Sequence, residues 1–425
     1  MSHVSPVPAE ERAPVLDALR GFALFGVCLA NLFVSFALLG APGAPAVPAG
    51  RAHEVGAFLI HALIDGKFYS LFSLLFGIGF AIQMRRAEAG GDPELRRFRR
   101  RLWILFAIGM AHLCLVWSGD ILAFYALVGF LLIRFRHVSD RRLLTWAAVL
   151  LVIPVLMYLP YWAAGGGREG SIPVTPAIVF WLPGMLVGKL VGLQPMAMPD
   201  LLHGGWRAFG QSLATGVFFR AGSLTFEWRI CKVLAMFLLG LWVGRRRPWQ
   251  DLQAFRPFLR RVATWGLAVG LPASLGMAAI GTGMEYYMGT DDGLIHTVFY
   301  ALGVPSLALA YAALFGMGWT SPRLRSALGV LAPAGRMALT SYITQSIIGV
   351  LLFYDIGLGL GGRVGPALLW PLAVLILAAQ TAFATLWLRR FRFGPAEWVW
   401  RSLTYRARQP MRIERPRSPA PALTS

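Results

Sequence analysis

Residues 59–84 read LIHALIDGKFYSLFSLLFGIGFAIQM, and Arg85, Arg86 and a basic run to Arg101 follow at once. A helix needs roughly 20 mostly apolar residues to cross a bilayer. This stretch meets that length and ends in positive charge, the mark of a membrane span with its cytoplasmic end at the arginines. Working outward, stretches of the same kind occur at 16–39, 102–118, 120–135, 143–163, 230–244, 262–283, 294–317, 337–354 and 366–388. Arginines gather at 85–101, 134–142, 245–261, 323–336 and 389–417, on every second connection. The connections 40–58, 164–229, 284–293 and 355–365 are less basic. This alternation predicts an all-α polytopic helical bundle of about ten transmembrane helices with both termini cytoplasmic.

Composition agrees. Of 425 residues, 57% are hydrophobic and 14% charged, against about half and a quarter in soluble domains. Mean hydropathy is +0.60. A net charge of +20 suits nucleic acid in a soluble chain. Here the arginines sit at the ends of apolar stretches and on no reading motif, so the expected partners are membrane lipids and not nucleic acid. Cys28, Cys114 and Cys231 lie inside apolar stretches without a CxxC, and read as small hydrophobes.

The chain divides into a cytoplasmic N-terminus (1–15), a five-helix membrane region (16–163), an extracytoplasmic segment (164–229), a second five-helix region (230–405) and a disordered, proline-bearing tail (406–425). The first span is too long for the apolar core of a signal peptide. Within 164–229, the apolar piece 178–191 is interrupted by Pro183 and Gly184 and suits a re-entrant or interfacial helix; Trp206–Phe219 looks amphipathic.

Ionisable residues within spans are costly, which makes them functional candidates. Asp17 and Arg20 share a helix face at i,i+3. Asn31 lies eleven residues past Arg20, almost three turns on, so one polar stripe runs along the first span. The second span opens with His61, Asp65 and Lys67. Asp65 and Lys67 cannot both face one way on a helix, so at least one turns inward. His112 sits in the third span and has a reference pKa near neutrality, which suits a general base. Asp120 opens the fourth span as a candidate N-cap; the turn brings it toward His112, with one to two helical turns between them in depth. In the ninth span Arg336, Thr340 and Thr344 recur at i,i+4, beside Gln345. HxxxH, CxxC, phosphate-loop and GxSxG patterns are absent, so no metal site is expected.

The stretches LDALRGFALFGVCLAN (16–31), KFYSLFSLLFGIGF (67–80), AHLCLVWSGDILAFYALVG (111–129), GRMALTSYITQS (335–346), LFYDIGLGL (352–360) and FRFGPAEWVWRSLTY (391–405) resemble the YeiB-type bacterial inner-membrane proteins, a family with a domain of unknown function. The resemblance runs nearly the whole chain and implies a multi-pass protein of the bacterial inner membrane. More distantly, LDALRG is similar to the opening helix of membrane acyltransferases of the acyltransferase-3 and heparan-glucosaminide N-acetyltransferase types. These pass an acyl group from cytoplasmic acyl-CoA to a sugar across the membrane. The acyltransferase-3 type carries a histidine eleven residues after the motif arginine, where this chain has Asn31. The other type has asparagine there and a catalytic histidine farther on, where this chain offers His53 and His61 at different spacing.

The leading expectation is therefore transfer of an acyl group from cytoplasmic acyl-CoA, with no bound cofactor, to an envelope glycan or lipid. His112, or else His53 or His61, would deprotonate the acceptor, with Asp65 among the catalytic candidates. Asn31 and Lys67 would stabilise the oxyanion. Arg20 and Arg336 would hold the donor's phosphates, with Asp17, Asp120 and Gln345 as further substrate contacts. The alternatives are a transporter or exporter of a small or lipid-like molecule, and a non-catalytic envelope factor.

Overall fold

The stretch 59–84 is not one helix. In the computed structural model, which describes residues 13–37, 39, 50–90, 92–163, 178–190, 204–281 and 289–413, the chain breaks at Asp65 and Gly66. Asp65 has φ −55° and ψ 126°, and Gly66 has φ +78°. Glycine is needed at Gly66 twice over: its φ is left-handed, and a Cβ there would stand 2.7 Å from the Tyr300 hydroxyl. Before the break, α1 (Pro14–Asn31) runs into a wide turn at Leu32–Phe36, and α2 (Arg51–Leu59) into another at Ile60–Ile64. Such π turns mark places where a helix is re-aimed. After it come α3 (Lys67–Gly90), α4 (Asp92–Leu115), α5 (Leu122–Leu132), α6 (Asp140–Ala163), α7 (Ile178–Leu190) and α8 (Gly205–Phe226). Then follow α9 (Arg229–Arg246), α10 (Arg256–Ile280), α11 (Asp291–Trp319), α12 (Pro322–Gly329), α13 (Ala332–Arg336), α14 (Ala338–Phe353), α15 (Pro366–Trp387) and α16 (Pro395–Tyr405).

The described residues are helical and contain no β-strand; the one β-bridge pairs Phe391 with Arg412. Six helical segments are long and apolar enough to cross a membrane: Pro14–Phe36, Arg51–Arg85, Asp140–Ala163, Arg256–Ile280, Asp291–Trp319 and Pro366–Trp387. Leu122–Phe135 and Ala338–Phe353 are apolar but shorter. Helix α4 carries the basic run 96–101 and α9 carries Arg229, Lys232, Arg245 and Arg246, so neither is as uniformly apolar as the six. Leu368, Leu375 and Leu386 of α15 are each more than half exposed. A large outward apolar face of this kind suits lipid and is poorly suited to water.

The helices pack through small residues. A Cβ on Gly77 of α3 would meet the Phe237 carbonyl of α9 at 2.1 Å, and one on Gly240 of α9 would meet the Leu74 carbonyl at 2.1 Å. Gly335 of α13 and Gly21 of α1 lock in the same way against the Asp17 and Leu331 carbonyls. Close backbone approach maximises dispersion where hydrocarbon gives no hydrophobic drive between helices.

The bundle has two distinct ends. At one, arginines collect: Arg245 of α9 donates to Asp140 and to the Arg136 and Val138 carbonyls, each at 2.7–2.8 Å. On the same end α16 crosses α4, with Arg100 donating to the Thr404 carbonyl at 2.8 Å. Glu397 of α16 caps α14 there, accepting from the Leu339 and Thr340 amides at 2.7 and 3.1 Å and from the Thr340 hydroxyl at 2.6 Å. Residues 411–413 return to this end, where the Ile413 amide donates to the Arg390 carbonyl. The opposite end is roofed by the α7–α8 hairpin. Phe209 of α8 packs on Tyr354, and Gly216 lies against Ser118 in the turn between α4 and α5.

Candidate functional site

Beneath that roof the α4–α5 turn closes on itself. The Val116 and Trp117 amides both donate to the His112 carbonyl, at 3.0 and 2.9 Å, which ends α4. Trp117 is buried and stacks on Phe36 at 4.5 Å, pinning the turn to the end of α1. Asp120 then points two ways. Its Oδ2 accepts from the Ala123 amide at 2.9 Å and starts α5; its Oδ1 lies 2.9 Å from His112 Nδ1. The depth expected between the two side chains is removed by the turn, which carries Asp120 back over His112.

Both members of this pair are buried, at 3% and 2% exposure. With the carboxylate accepting from Nδ1–H, the tautomer this contact favours leaves a lone pair at Nε2. That Nε2 is buried and makes no hydrogen bond with any described residue. Tyr342 of α14 stands beside it, ring centroids 5.4 Å apart. From the roof, Arg220 of α8 donates its Nε to the Asp120 carbonyl at 2.9 Å. An oriented, buried imidazole with one open nitrogen has the geometry to accept a proton.

A second polar cluster surrounds the break at Asp65. Lys67 is fully buried and donates to the His61 carbonyl at 2.8 Å, so it turns inward. Asp65 lies 3.7 Å from His61 Nδ1. Arg229, at the start of α9, pairs with Glu227 and covers the Tyr69 ring at 4.6 Å; Lys232 covers Tyr300 at 4.1 Å. Trp228, between the two members of the ion pair, sits at φ 51° and forces the turn from α8 into α9. No hydrogen bond or ion pair joins Lys67 or Asp65 to His112, so two of the expected partners stand in another cluster.

The other candidates are dispersed. Asn31 is half-buried at the end of α1 and makes no side-chain hydrogen bond with a described residue. Arg20 binds Asp17 at 2.8 Å and the Gly335 carbonyl at 3.3 Å, at the arginine-rich end. Arg336 ends α13 and does not share a continuous helix with Thr340, because Met337 (φ −107°, ψ 33°) breaks the chain between them. Gln345 donates to Gln380 Oε1 at 2.9 Å and keeps a buried, unpartnered Oε1. His53 accepts a long bond, 3.4 Å, from the Ala367 amide at the α2–α15 junction.

Sequence reading missed Arg220, Glu227, Arg229, Tyr342 and Glu397. A clue existed for Arg229, a charge directly beside the apolar stretch 230–244. None existed for Tyr342 or Glu397, whose roles depend on which helices meet.

The chain is 32% identical to the uncharacterised protein YxaH of Bacillus subtilis over 97% of its length and 98% of YxaH. It is 30% identical to the uncharacterised protein YeiB of Escherichia coli, over 94% of this chain and 98% of YeiB. The family model for a protein of unknown function, DUF418, matches residues 243–407.

The chain belongs to the YeiB-like DUF418 family.

An uncharacterised 39.9 kDa protein from the amylase 3′ region of Bacillus acidopullulyticus is 27% identical over 97% of the chain. The DUF418 match takes in Tyr342, Gln345, Gln380 and Glu397. The His112–Asp120 pair precedes it, in the part covered by the full-length relatives.

Proposed function

We propose that this DUF418 protein is a multi-pass inner-membrane acyltransferase, passing an acyl group from cytoplasmic acyl-CoA to a hydroxyl of an envelope glycan or lipid. In this reading ten spans place both termini and the arginine-rich end in the cytoplasm, and the roofed end outward. The observation that carries it is the buried His112–Asp120 pair with Nε2 open. The acceptor hydroxyl gives its proton to Nε2 while its oxygen bonds to the thioester carbon. The C–S bond then breaks, and the proton passes from His112 to the departing thiolate. Asp120 stabilises the imidazolium formed between these steps. Asn31 supplies an amide toward the oxyanion, and Arg20 and Arg336 hold phosphates at the other end.

The test is mass spectrometry of envelope lipids and glycans in cells with the intact gene, the deletion, His112→Ala and Asp120→Asn. Loss of one acyl modification in all three altered strains supports the reading. An acyl profile unchanged in the deletion ends it.

One observation favours transport instead. A helix broken at Asp65–Gly66 beside Lys67, Arg229 and Lys232 is a feature of ion-coupled carriers. Uptake into vesicles that collapses with the proton gradient, and is lost in Lys67→Met, would support this second reading.

A further inference from the structure

At the arginine-rich end a cleft of about 900 Å³ opens beside the start of α1. Its walls are Pro14 and Val15 of α1, the turn 249–253 that follows α9, Trp319 and Thr320 where α11 ends, and α12 with Ala332 of α13. The floor is apolar: Val15 is buried, and Trp249, Leu252, Trp319 and Ala332 pack against the main core. The rim is polar. The Trp249 and Trp319 indoles are half-buried, and Gln250, Gln253, Arg325 and Ser326 are exposed. None of these six side chains makes a hydrogen bond or ion pair with a described residue. Asp251 accepts from the Ala254 amide at 3.0 Å through Oδ1 and keeps Oδ2. Trp319 stacks on Phe315, ring centroids 6.3 Å apart, and the Arg325 guanidinium stands 5.8 Å from the centre of the Trp319 ring.

An apolar floor with a few polar groups around it is the usual make-up of a small-molecule site, and such pockets hold about 300–1,000 Å³. Anchoring at a membrane interface needs only an indole on the outer surface. It does not need two on the walls of one cleft, with two amides and a guanidinium beside them that bond no described residue. Flat indole faces suit a flat ring, and nucleobases stack on aromatic side chains through their own π-faces. Glutamine amides can meet the edge of a base, and a carboxylate with a free oxygen can take a ribose hydroxyl, as in dinucleotide sites. Arg325, which pairs with no described carboxylate, has its N–H fork left for a phosphate. A nucleotide uses ring, carboxylate and guanidinium together, whereas a phospholipid headgroup uses the guanidinium and has no ring to lay on the indoles.

We propose that this cleft binds a purine nucleotide, with the base against Trp249 and Trp319 and a phosphate on Arg325. The nucleotide is either the adenosine 3′,5′-bisphosphate end of coenzyme A or a free nucleotide such as ATP. Only the first source rests on the acyl-transfer reading; the site itself does not. In favour of that source, α1 and α13 both begin at the cleft and pack together as they leave it, Gly335 against the Asp17 carbonyl and Arg20 donating to the Gly335 carbonyl. The seam that carries Arg20 thus starts where the nucleotide would sit.

The experiment is equilibrium dialysis of labelled adenosine 3′,5′-bisphosphate, coenzyme A and ATP against the full-length protein in phosphatidylcholine nanodiscs. It is run on wild type, Arg325→Gln, Ser326→Phe and, as a control at the same end, the exposed Arg260→Gln. Arg325 and Ser326 are exposed, so neither change disturbs the core; the first removes the phosphate's partner and the ring added by the second fills the cleft. The expected result is saturable binding, at least roughly tenfold weaker in Arg325→Gln and Ser326→Phe and unchanged in Arg260→Gln. Binding of both the bisphosphate and coenzyme A names the thioester donor. Binding of ATP alone names a free nucleotide and keeps the cleft without the donor. Coenzyme A bound without the bisphosphate, no nucleotide bound at all, or equal loss in Arg260→Gln overturns the site. An acyl modification that still disappears in His112→Ala cells would then show that the transfer reading survives the failure of the cleft.

Discussion

Adding one methyl group at Gly77 should separate α3 from α9. The Cβ would lie 2.1 Å from the Phe237 carbonyl oxygen, about 1.3 Å inside the 3.4 Å at which ordinary contact begins. That obstacle is backbone inside a buried helix and has no rotamer to escape by. The reciprocal contact at Gly240 prevents a simple slide, and Phe76 stacks on Phe237 at 4.4 Å in the same seam. The helices must therefore open, and a gap of about 1 Å already forfeits a quarter to a half of each dispersion contact across it. Overpacking of this kind costs about 1–3 kcal/mol, and the upper end applies where backbone meets backbone. Gly79, two residues on, is the internal control. Nothing lies within 4 Å of its Cβ position, so Gly79→Ala gains helix propensity worth about 0.5–1 kcal/mol. Thermal unfolding in detergent should rank the variants Gly79→Ala above wild type above Gly77→Ala. A Gly77→Ala protein as stable as wild type would refute the packing described here.

Three further outcomes follow from the geometry. Asp120→Asn keeps an oxygen for the Ala123 amide but loses the charge facing His112 Nδ1; it should leave expression intact and lower transfer by about two to four orders of magnitude, read by acceptor acylation. Lys67→Met strips the His61 carbonyl of its donor and should destabilise by about 1–3 kcal/mol; adding Asp65→Asn should be less than additive, as a double-mutant cycle by thermal unfolding will read. Burial raises the Glu397 carboxyl above its ordinary 4.5 despite the bonds donated by Thr340 and Leu339. The folded state therefore holds the proton more tightly, so this contribution to stability is full below about 4.5 and is lost as pH rises through the raised value. Glu397→Gln should flatten that slope, while Glu397→Ala should destabilise at every pH tested.

Much of the fold could be read from patterns that average over many residues. Apolar length and the placement of arginine gave helices wherever spans were expected among the described residues. The break in 59–84 escaped because an average over a window cannot see one dihedral angle. Its chemical signs, Asp65 beside Gly66 in an apolar run, were present, but the reason for them is Tyr300, more than two hundred residues away. The split between Arg336 and Thr340 is similar. Nothing in GRMALT forbids one helix, and the turn at Met337 is fixed by Gly335 packed on the Asp17 carbonyl of α1.

The site was legible as a set of residue types and not as a set of pairs. His112 and Asp120 are eight apart, too far to meet on one helix. They meet because Trp117 is drawn onto Phe36 and Gly119 folds closely over the indole. Asp65 and Lys67 looked like partners of that histidine because all were polar residues in apolar surroundings. The structure sorts them by the helices that bracket them: α3 and α9 hold Lys67, Arg229 and Lys232, whereas α4, α5, α8 and α14 meet around His112. A buried charge is tolerable only beside its own counter-charge or donor, so each helix junction recruits its own polar set. Spacing within one helix cannot say which junction a side chain will join: His61 and His112 each keep a buried, unpartnered Nε2, but His112 lies 2.9 Å from its carboxylate and His61 3.7 Å from Asp65.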